Sequence, residues 1–208
     1  PLALEGRDVI GSAQTGTGKT AAFGIPMIER LLLNPAALKP KLPQSLVLTP
    51  TRELALQVNE SLMASGRKTG LRSAAIFGGV GMQPQVDALK RGVHIVVATP
   101  GRLIDHMEQR NLGLSAIQIL TVDEADRMMD MGFLPPLRRI LGALPKQRQT
   151  LLFSATFPEP IRALAVKFMI NPAEVQAAPP NSAATTVRHR IHRVQRDRKR
   201  DLLVHLLR

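Results

Sequence analysis

The clearest chemical signal in the sequence is a glycine-rich segment between a short apolar run and a helix-compatible stretch. Its residues are Ala13, Gln14, Thr15, Gly16, Thr17, Gly18, Lys19 and Thr20. The glycines let backbone N–H groups turn towards phosphate oxygens, and the start of the helix adds a partial positive charge. Lys19 would reach the β- and γ-phosphates, and the Thr20 hydroxyl would bind Mg²⁺. A glycine-rich turn without a ligand is the alternative, and Ala13 replaces the usual first glycine, but the strand–loop–helix context favours a phosphate-binding loop.

A phosphate-binding loop needs an acidic partner at the end of a neighbouring strand. The apolar run 117–122 is followed directly by Asp123, Glu124, Ala125 and Asp126. Asp123 would hold Mg²⁺ through water, and Glu124 would orient or deprotonate the attacking water. An acidic helix start that complements the helix dipole would also explain these carboxylates. Beside a phosphate-binding loop, the acids predict hydrolysis of a nucleoside triphosphate.

These two segments must be positioned by a fold that brings strand ends together. A helix is predicted from Lys19 to Leu33, and Val9-Ile10 is predicted to lie at the end of the strand before it. Short β-rich runs, each followed by a helix-compatible stretch, recur at Ser45–Thr49, Ser73–Phe77, Val93–Ala98, Gln118–Val122 and Thr150–Phe153. This alternation predicts an α/β fold, RecA-like or Rossmann-like, with a mostly parallel sheet and helices on both faces. Ligands of such sheets bind beyond the carboxyl ends of the strands.

The composition limits the class of protein. The chain has 208 residues, of which 44% are hydrophobic, enough for the core of one main domain. It has no Cys, which excludes disulfides, thiol nucleophiles and Cys-ligated metals and favours a reducing compartment. No apolar run reaches the roughly 18 residues of a membrane span. We therefore expect a cytoplasmic protein with no membrane partner.

The charge suggests a polyanionic partner. Lys and Arg number 28 against 16 Asp and Glu, a formal charge of +12, and such side chains gain affinity by displacing counterions from phosphates. With no Trp, no Tyr and six Phe, the chain lacks the aromatic platforms on which single-strand binders stack bases. A nucleic-acid ligand would therefore be held mainly by its backbone.

Two breaks divide the chain. Residues 34–44 contain three prolines and are predicted to form a surface loop, and Asn171-Pro172 is predicted to close the last helix. Residues 179–182 have the composition of a linker. The last part of the chain, residues 181–208, carries a net charge of +6, half of the total. This last part is either a solvated arm or the first strand and helix of another domain.

Further short motifs follow in a fixed order along the chain. They are Pro50-Thr51-Arg52-Glu53-Leu54-Ala55, Gly78-Gly79, Thr99-Pro100-Gly101-Arg102 and Ser154-Ala155-Thr156. In the order given, they resemble motifs Ia, GG, Ib and III of the DEAD-box ATP-dependent RNA helicases. The D-E-A-D of residues 123–126 resembles motif II of this family, and the loop at 13–20 resembles motif I. The resemblance covers residues 6 to about 170 and implies the first RecA-like P-loop NTPase domain of such an enzyme. Asp130-Met131-Gly132-Phe133 and residues 153–158 are most similar to bacterial RhlE-type members.

The resemblance implies roles for these residues. ATP and Mg²⁺ would bind at residues 13–20, with Thr20 and Asp123 as metal ligands and Lys19, Asp123 and Glu124 as catalytic residues. Hydroxyl groups of Ser154 and Thr156 would bond Asp126 and couple the nucleotide to RNA, although a local Ser/Thr turn is the alternative. The RNA backbone would be bound, independently of sequence, by Pro50, Thr51, Arg52, Gly78, Gly79, Thr99, Pro100, Gly101 and Arg102. Taken alone, Thr51 and Thr99 are better explained as ordinary helix caps.

The resemblance also predicts the domains: 1–175 as the first RecA-like domain, 176–186 as a linker and 187–208 as the start of a second RecA-like domain. The adenine-reading Q motif and the arginine fingers of the family would then lie outside the chain. Because an arginine finger contributes roughly 10³- to 10⁵-fold to the rate, we expect this chain alone to be a weakly active monomer that does not unwind RNA. Two other functions stay open: a P-loop ATPase acting on DNA, and a non-catalytic RNA clamp.

Overall fold

A computed structural model of the chain describes residues 1–13, 18–33, 42–176 and 192–206. The middle of the phosphate-binding loop, most of the proline-rich loop and the predicted linker lie outside these residues. The chain forms two compact units, Pro1–Ala178 and Pro179–Arg208. The predicted motifs all belong to the first unit.

A parallel sheet forms the centre of the first unit. Its strands are β1 Val9–Ser12, β2 Ser45–Leu48, β3 Ser73–Ile76, β4 Ile95–Ala98, β5 Ile119–Val122, β6 Gln149–Ser154 and β7 Ala173–Gln176. Their order across the sheet is β3-β4-β2-β5-β6-β1-β7, and each neighbouring pair is parallel. The predicted parallel α/β sheet is confirmed.

Helices cover both faces of this sheet. They are α1 Lys19–Leu33, α2 Arg52–Ser65, α3 Gln83–Lys90, α4 Pro100–Glu108, α5 Ala125–Asp130, α6 Leu134–Ala143 and α7 Glu159–Phe168. The buried side chains of α1 and α2 belong to one apolar core, and those of α4 to α7 belong to a second. The sheet therefore separates two cores, one on each face. Among the helices that the structure describes, none has the length and apolar character needed to cross a membrane.

The apolar runs of the central strands follow from burial on both faces. In β2, Leu46 and Leu48 enter one core and Val47 enters the other, and all three are fully buried. Successive side chains of a strand point to opposite faces, so a strand between two cores is apolar at most of its positions.

The edge of the sheet differs from the sequence-based prediction. Strand β7 was not predicted, because it is mostly exposed and has no apolar run, and it pairs with β1 alone. Helix α7 ends at Phe168, before the Asn171-Pro172 pair, and β1 begins at Val9 and continues to Ser12. In the second unit, a 3₁₀ turn at Arg196–Arg198 leads into α8, Lys199–Leu206, which buries no side chain.

Asp8 joins three elements at the end of the sheet opposite the motifs. Its carboxylate accepts hydrogen bonds from the Thr150 N–H at 2.7 Å and the Ile170 N–H at 2.6 Å. Its carbonyl oxygen accepts a third from the Ala173 N–H at 2.8 Å. Asp8 is buried, so this acidic residue has a structural role.

We predict that Asp8→Asn destabilises the protein by about 2–4 kcal/mol, because an amide group cannot accept hydrogen bonds at both positions and one buried N–H loses its partner. Urea denaturation measures the free energy of unfolding. Glu108→Gln, which alters an exposed carboxylate, is the matched control and should change it by less than about 0.5 kcal/mol. Equal stability of the two variants would contradict the role given to Asp8.

Candidate functional site

The carboxyl ends of the strands lie along one edge of the sheet, where β3, β4, β2 and β5 end level and β6, β1 and β7 continue two residues further. The register pairs Ile76 with Ala98, Ala98 with Leu48, Leu48 with Val122, and Val122 with Leu152. Along this edge, the motifs therefore follow in the order GG (after β3), Ib (β4), Ia (β2), D-E-A-D (β5), III (β6) and the phosphate-binding loop (β1). The motifs predicted to bind nucleic acid and those predicted to bind nucleotide occupy adjacent halves of one edge, which meet between β2 and β5.

A buried ion pair joins the first turn of α1 to the end of β5. The Nζ atom of Lys19 lies 3.5 Å from Oδ1 of Asp123, and the two side chains are only 9% and 3% exposed. Strand β6 lies between β1 and β5, so the lysine reaches over the end of β6 to make this contact. The structure thus brings together the lysine of the phosphate-binding loop and the acid predicted to be its partner.

The surroundings of Asp123 oppose its ionisation. Burial raises the pKa of this carboxyl group above its ordinary value of 3.8, and the nearby Glu124 carboxylate raises the pKa further. The positive charge of Lys19 and the hydrogen bond that Oδ1 accepts from the Glu124 N–H, at 3.0 Å, lower it. Lys19 is therefore the main group that lowers the pKa of Asp123 against the effect of burial.

The donor atoms at this position fit Mg²⁺. Oδ1 of Asp123 takes both the Lys19 and the Glu124 contacts, and no hydrogen bond reaches Oδ2 from the part of the chain that the structure describes. Thr20 adds a hydroxyl group directly after Lys19 in α1. Carboxylate and hydroxyl oxygens are the hard ligands that Mg²⁺ accepts beside phosphate and water.

Glu124 has an unusual backbone conformation. Its φ of 54° and ψ of 53° lie in the left-handed region, which costs a non-glycine residue about 1–2 kcal/mol. Two contacts hold the residue there: its N–H donates to Asp123, and its Oε2 lies 3.2 Å from Nη1 of Arg127. Strained residues of this kind cluster at functional sites, which supports the importance of Glu124.

A hydrogen-bond network ties Asp126 to the end of β6. The N–H and the hydroxyl group of Thr156 donate to Oδ2 of Asp126 at 2.9 and 3.0 Å. In return, the Asp126 N–H donates to Oγ of Ser154 at 3.1 Å, and this hydroxyl group donates to the Thr156 carbonyl at 2.6 Å. Burial raises the pKa of Asp126, but the hydrogen bonds from Thr156 and from the Arg127 N–H outweigh burial and lower this pKa below 3.8.

An open cleft of about 210 Å³ lies above these strand ends. Its lining includes the predicted residues Lys19, Glu124 and Asp126. It also includes three residues that sequence reasoning did not select, namely Arg127, Asp130 and Ala155. Their sequence positions could have indicated that they line the site. Arg127 lies one helical turn after Glu124, Asp130 lies one turn after Asp126, and Ala155 lies between Ser154 and Thr156.

The other half of the edge carries the starts of α2 and α4. Thr51 caps α2, since its hydroxyl oxygen accepts a hydrogen bond from the Leu54 N–H at 3.3 Å. Thr99 occupies the same position before α4, but its side chain makes no capping hydrogen bond. The capping alternative therefore holds for the side chain of Thr51 and not for that of Thr99.

Two arginines of these motifs contact the segment around Gly78-Gly79. The guanidinium group of Arg52 lies over the Phe77 ring, 5.1 Å from its centre. Arg102 donates from Nη1 and Nη2 to the carbonyl oxygen of Val80, both at 3.1 Å. Motifs Ia and Ib thus pack against the GG segment, although these three motifs are far apart in the sequence.

The fold and the site together define a RecA-like P-loop domain, and comparisons with known proteins agree. The family described as DEAD/DEAH box helicase matches residues 1–164. The chain is 46% identical over 207 residues to "DEAD-box ATP-dependent RNA helicase CshA" of Streptococcus pneumoniae serotype 4, and 44% identical to the protein of that name from Geobacillus kaustophilus. The whole chain is covered, but only 38% and 43% of these relatives. The chain therefore spans less than half their length.

Solved structures give the same result. A hypothetical ATP-dependent RNA helicase from Sulfolobus tokodaii matches with a TM-score of 0.77 and 40% identity, covering 85% of this chain and 50% of that one. A DEAD box protein from Methanococcus jannaschii matches with a TM-score of 0.77 and 39% identity, covering 86% of this chain and 47% of that one. The chain belongs to the DEAD/DEAH box helicase family. The finer similarity to RhlE-type members stays a prediction.

We predict that Lys19→Ala raises the pKa of Asp123 further, because burial remains and the main counterion is lost. A ¹³C NMR titration of the carboxyl groups measures this pKa. Lys146→Ala removes an exposed lysine and should leave the titration of Asp123 unchanged. An unchanged or lower pKa in the folded Lys19→Ala variant would contradict the proposed pairing.

Proposed function

We propose that this chain is the first RecA-like domain of an ATP-dependent RNA helicase, which binds Mg²⁺–ATP and the RNA backbone and couples ATP hydrolysis to local strand separation. The observation that carries the proposal is the buried contact of Lys19 with Asp123, in a cleft shared with Glu124 and Asp126. The names of the relatives, both ATP-dependent RNA helicases, support the same activity.

The nucleotide site follows from the charges in the cleft. Backbone N–H groups of residues 13–20 and the Lys19 ammonium would hold the phosphates, while Thr20 and Asp123 would hold Mg²⁺. Bound Mg²⁺ supplies positive charge that neutralises the phosphates during transfer. Lys19 would then exchange its contact with Asp123 for one with phosphate, and Glu124 would accept a proton from the attacking water.

Coupling to RNA would start at Asp126. Its carboxylate contacts Thr156 and its N–H contacts Ser154, so a shift of Asp126 on nucleotide binding would move motif III. The N–H groups at the starts of α2 and α4 and of the GG segment would bind phosphates of one RNA strand. Backbone contacts of this kind read no base sequence.

The remaining parts of the proposal concern the intact enzyme. Residues 1–175 would form the first domain, 176–186 the linker and 187–208 the beginning of the second RecA-like domain, which would close over ATP and RNA. The 208-residue chain would be a monomer with weak ATPase activity and no unwinding activity. We expect the enzyme to act in the cytoplasm.

We predict that Glu124→Gln lowers RNA-stimulated ATP hydrolysis by about 10²- to 10⁴-fold in the protein that carries this chain, because the amide group cannot accept the proton of the attacking water. ATP affinity should stay within about threefold, since a contact to water alone contributes little to nucleotide binding. Steady-state ATPase assays and binding of a fluorescent ATP analogue measure the two effects.

Glu108→Gln, an exposed carboxylate of α4, is the matched control and should keep full activity. ATPase and strand separation that survive both Glu124→Gln and Lys19→Ala would favour the non-catalytic clamp. Stimulation by DNA but not by RNA of the same sequence would favour a DNA-dependent ATPase.

We predict that Arg52→Gln weakens binding of single-stranded RNA and lowers the slope of log affinity against log salt by about 0.7, the value for one lost phosphate contact. Fluorescence anisotropy at several salt concentrations measures both quantities. Arg139→Gln removes an equal charge from an exposed ion pair on α6 and should leave the slope unchanged. An unchanged slope in Arg52→Gln would remove Arg52 from the RNA site.

A further inference from the structure

A buried hydrogen-bond chain connects α4 to the segment that contains Gly78-Gly79. His106 lies in the last turn of α4, is fully buried, and has its Nε2 3.2 Å from Oε1 of Gln85 on α3. Gln85 is also buried, and its Nε2 donates to the carbonyl oxygen of Phe77 at 2.9 Å. Phe77 directly precedes the two glycines, so the chain ends on the peptide group that begins the GG segment.

The direction of these hydrogen bonds is determined by chemistry. A carbonyl oxygen only accepts, so the Gln85 amide must present its NH₂ group to Phe77 and its oxygen to His106. The His106 ring must therefore carry its proton on Nε2 and donate it to Gln85. Both hydrogen bonds of the chain therefore donate in the same direction: His106 on α4 donates to Gln85 on α3, and Gln85 donates to the Phe77 carbonyl oxygen.

Burial of the His106 ring has a free-energy cost. Burial lowers the pKa of His106, the Arg102 charge lowers it further and Asp105 opposes both, so the ring is neutral and has a single N–H. That N–H goes to Gln85, and Nδ1 is buried with no hydrogen-bond partner among the residues that the structure describes. An apolar side chain would avoid this cost but would leave the buried Oε1 of Gln85 without a donor. The ring is therefore explained by what it holds in place.

The same helix holds the other end of the segment. Arg102, one turn before His106, donates twice to the carbonyl oxygen of Val80. Between the two attachments, Gly79 has a φ of +80°, and no atom lies within 4 Å of the position of a Cβ on either glycine. The glycines have no packing of their own to fix their orientation, so the attachments at Phe77 and Val80 must supply it.

We propose that Gln85 and His106 are positioning residues for RNA binding, which hold the Phe77 carbonyl so that the N–H groups of Gly78 and Gly79 face the RNA backbone. The proposal rests on the proposed function. Motif Ib would then act in two ways: through its own helix start, and by setting the geometry of the GG segment. Neither Gln85 nor His106 would touch RNA.

The test compares two buried histidines. His106→Leu should weaken the affinity for single-stranded RNA by about tenfold, the effect of losing one or two neutral hydrogen bonds that matter for binding. His94→Leu is the matched control: His94 is buried and its Nδ1 accepts a hydrogen bond from the Arg72 N–H at 3.0 Å, at the opposite end of the sheet. It should change the RNA affinity by less than about twofold, whatever its effect on thermal stability.

Two further variants keep the test decisive. His106→Gln restores a donor and should recover most of the affinity, while Gln85→Met removes both hydrogen bonds and should match His106→Leu. In ¹⁵N-glycine spectra of the 208-residue chain, the Gly78 and Gly79 amide signals should shift in His106→Leu and not in His94→Leu. Equal RNA affinity of His106→Leu and His94→Leu, with RNA binding of the unaltered protein intact, would overturn the positioning role alone. Absence of RNA binding by the unaltered protein would overturn the proposed function as well.

Discussion

Burial of the sheet on both faces is the constraint on which the rest of this structure depends. Between two apolar cores, the central strands have no face on which a charged side chain could stay hydrated. Charged side chains therefore occur first at the position after the last strand residue, as Asp123 does after Val122, and even there Asp123 is buried and paired with Lys19. Because the strands are parallel and their carboxyl ends lie along one edge, these positions lie side by side, and polar chemistry collects there.

Within that line, two carboxylates of one short motif have opposite electrostatic environments. Burial raises the pKa of Asp123, which depends on Lys19 for its charge, whereas hydrogen bonds from Thr156 and Arg127 outweigh burial and lower the pKa of Asp126. A carboxylate with one replaceable counterion can change partners when an anion or a cation arrives. A carboxylate held by several short hydrogen bonds keeps its partners and moves with them. These environments suit Asp123 to an exchange of ligands and Asp126 to the transmission of a movement.

Much of the fold and of the candidate site could be predicted from the sequence. The features that could not be predicted share a common cause. The helix at Lys19–Leu33 and the central strands followed from periodicity, because each apolar run is buried in a regular way. The candidate residues were selected because their motifs lie at the carboxyl ends of predicted strands and match the pattern of the family. Which strand lies next to which is not encoded in these local patterns. The acidic partner of the phosphate-binding loop was expected on a strand neighbouring β1, whereas β6 lies between β1 and β5.

The features that the sequence did not reveal depend on contacts that local patterns do not show. Strand β7 is exposed and short, and its identity comes from pairing with β1. Arg127 resembles any charged residue on a helix until its contact with Glu124, one turn earlier, is known, and His106 resembles one buried helix residue among others until Gln85 is placed beside it. For β7 and His106, the information lies in a partner that is distant in the sequence.

The position of β5 has a mechanical consequence. Its neighbours are β2, which leads into Arg52, and β6, which leads into Thr156, so the D-E-A-D strand is the boundary between the two halves of the edge. Adjacent strands lie about 4.8 Å apart. The two halves of the edge are therefore separated by a single interstrand spacing, between β2 and β5. Under the proposed coupling of nucleotide and RNA, a movement would have to pass over only this distance.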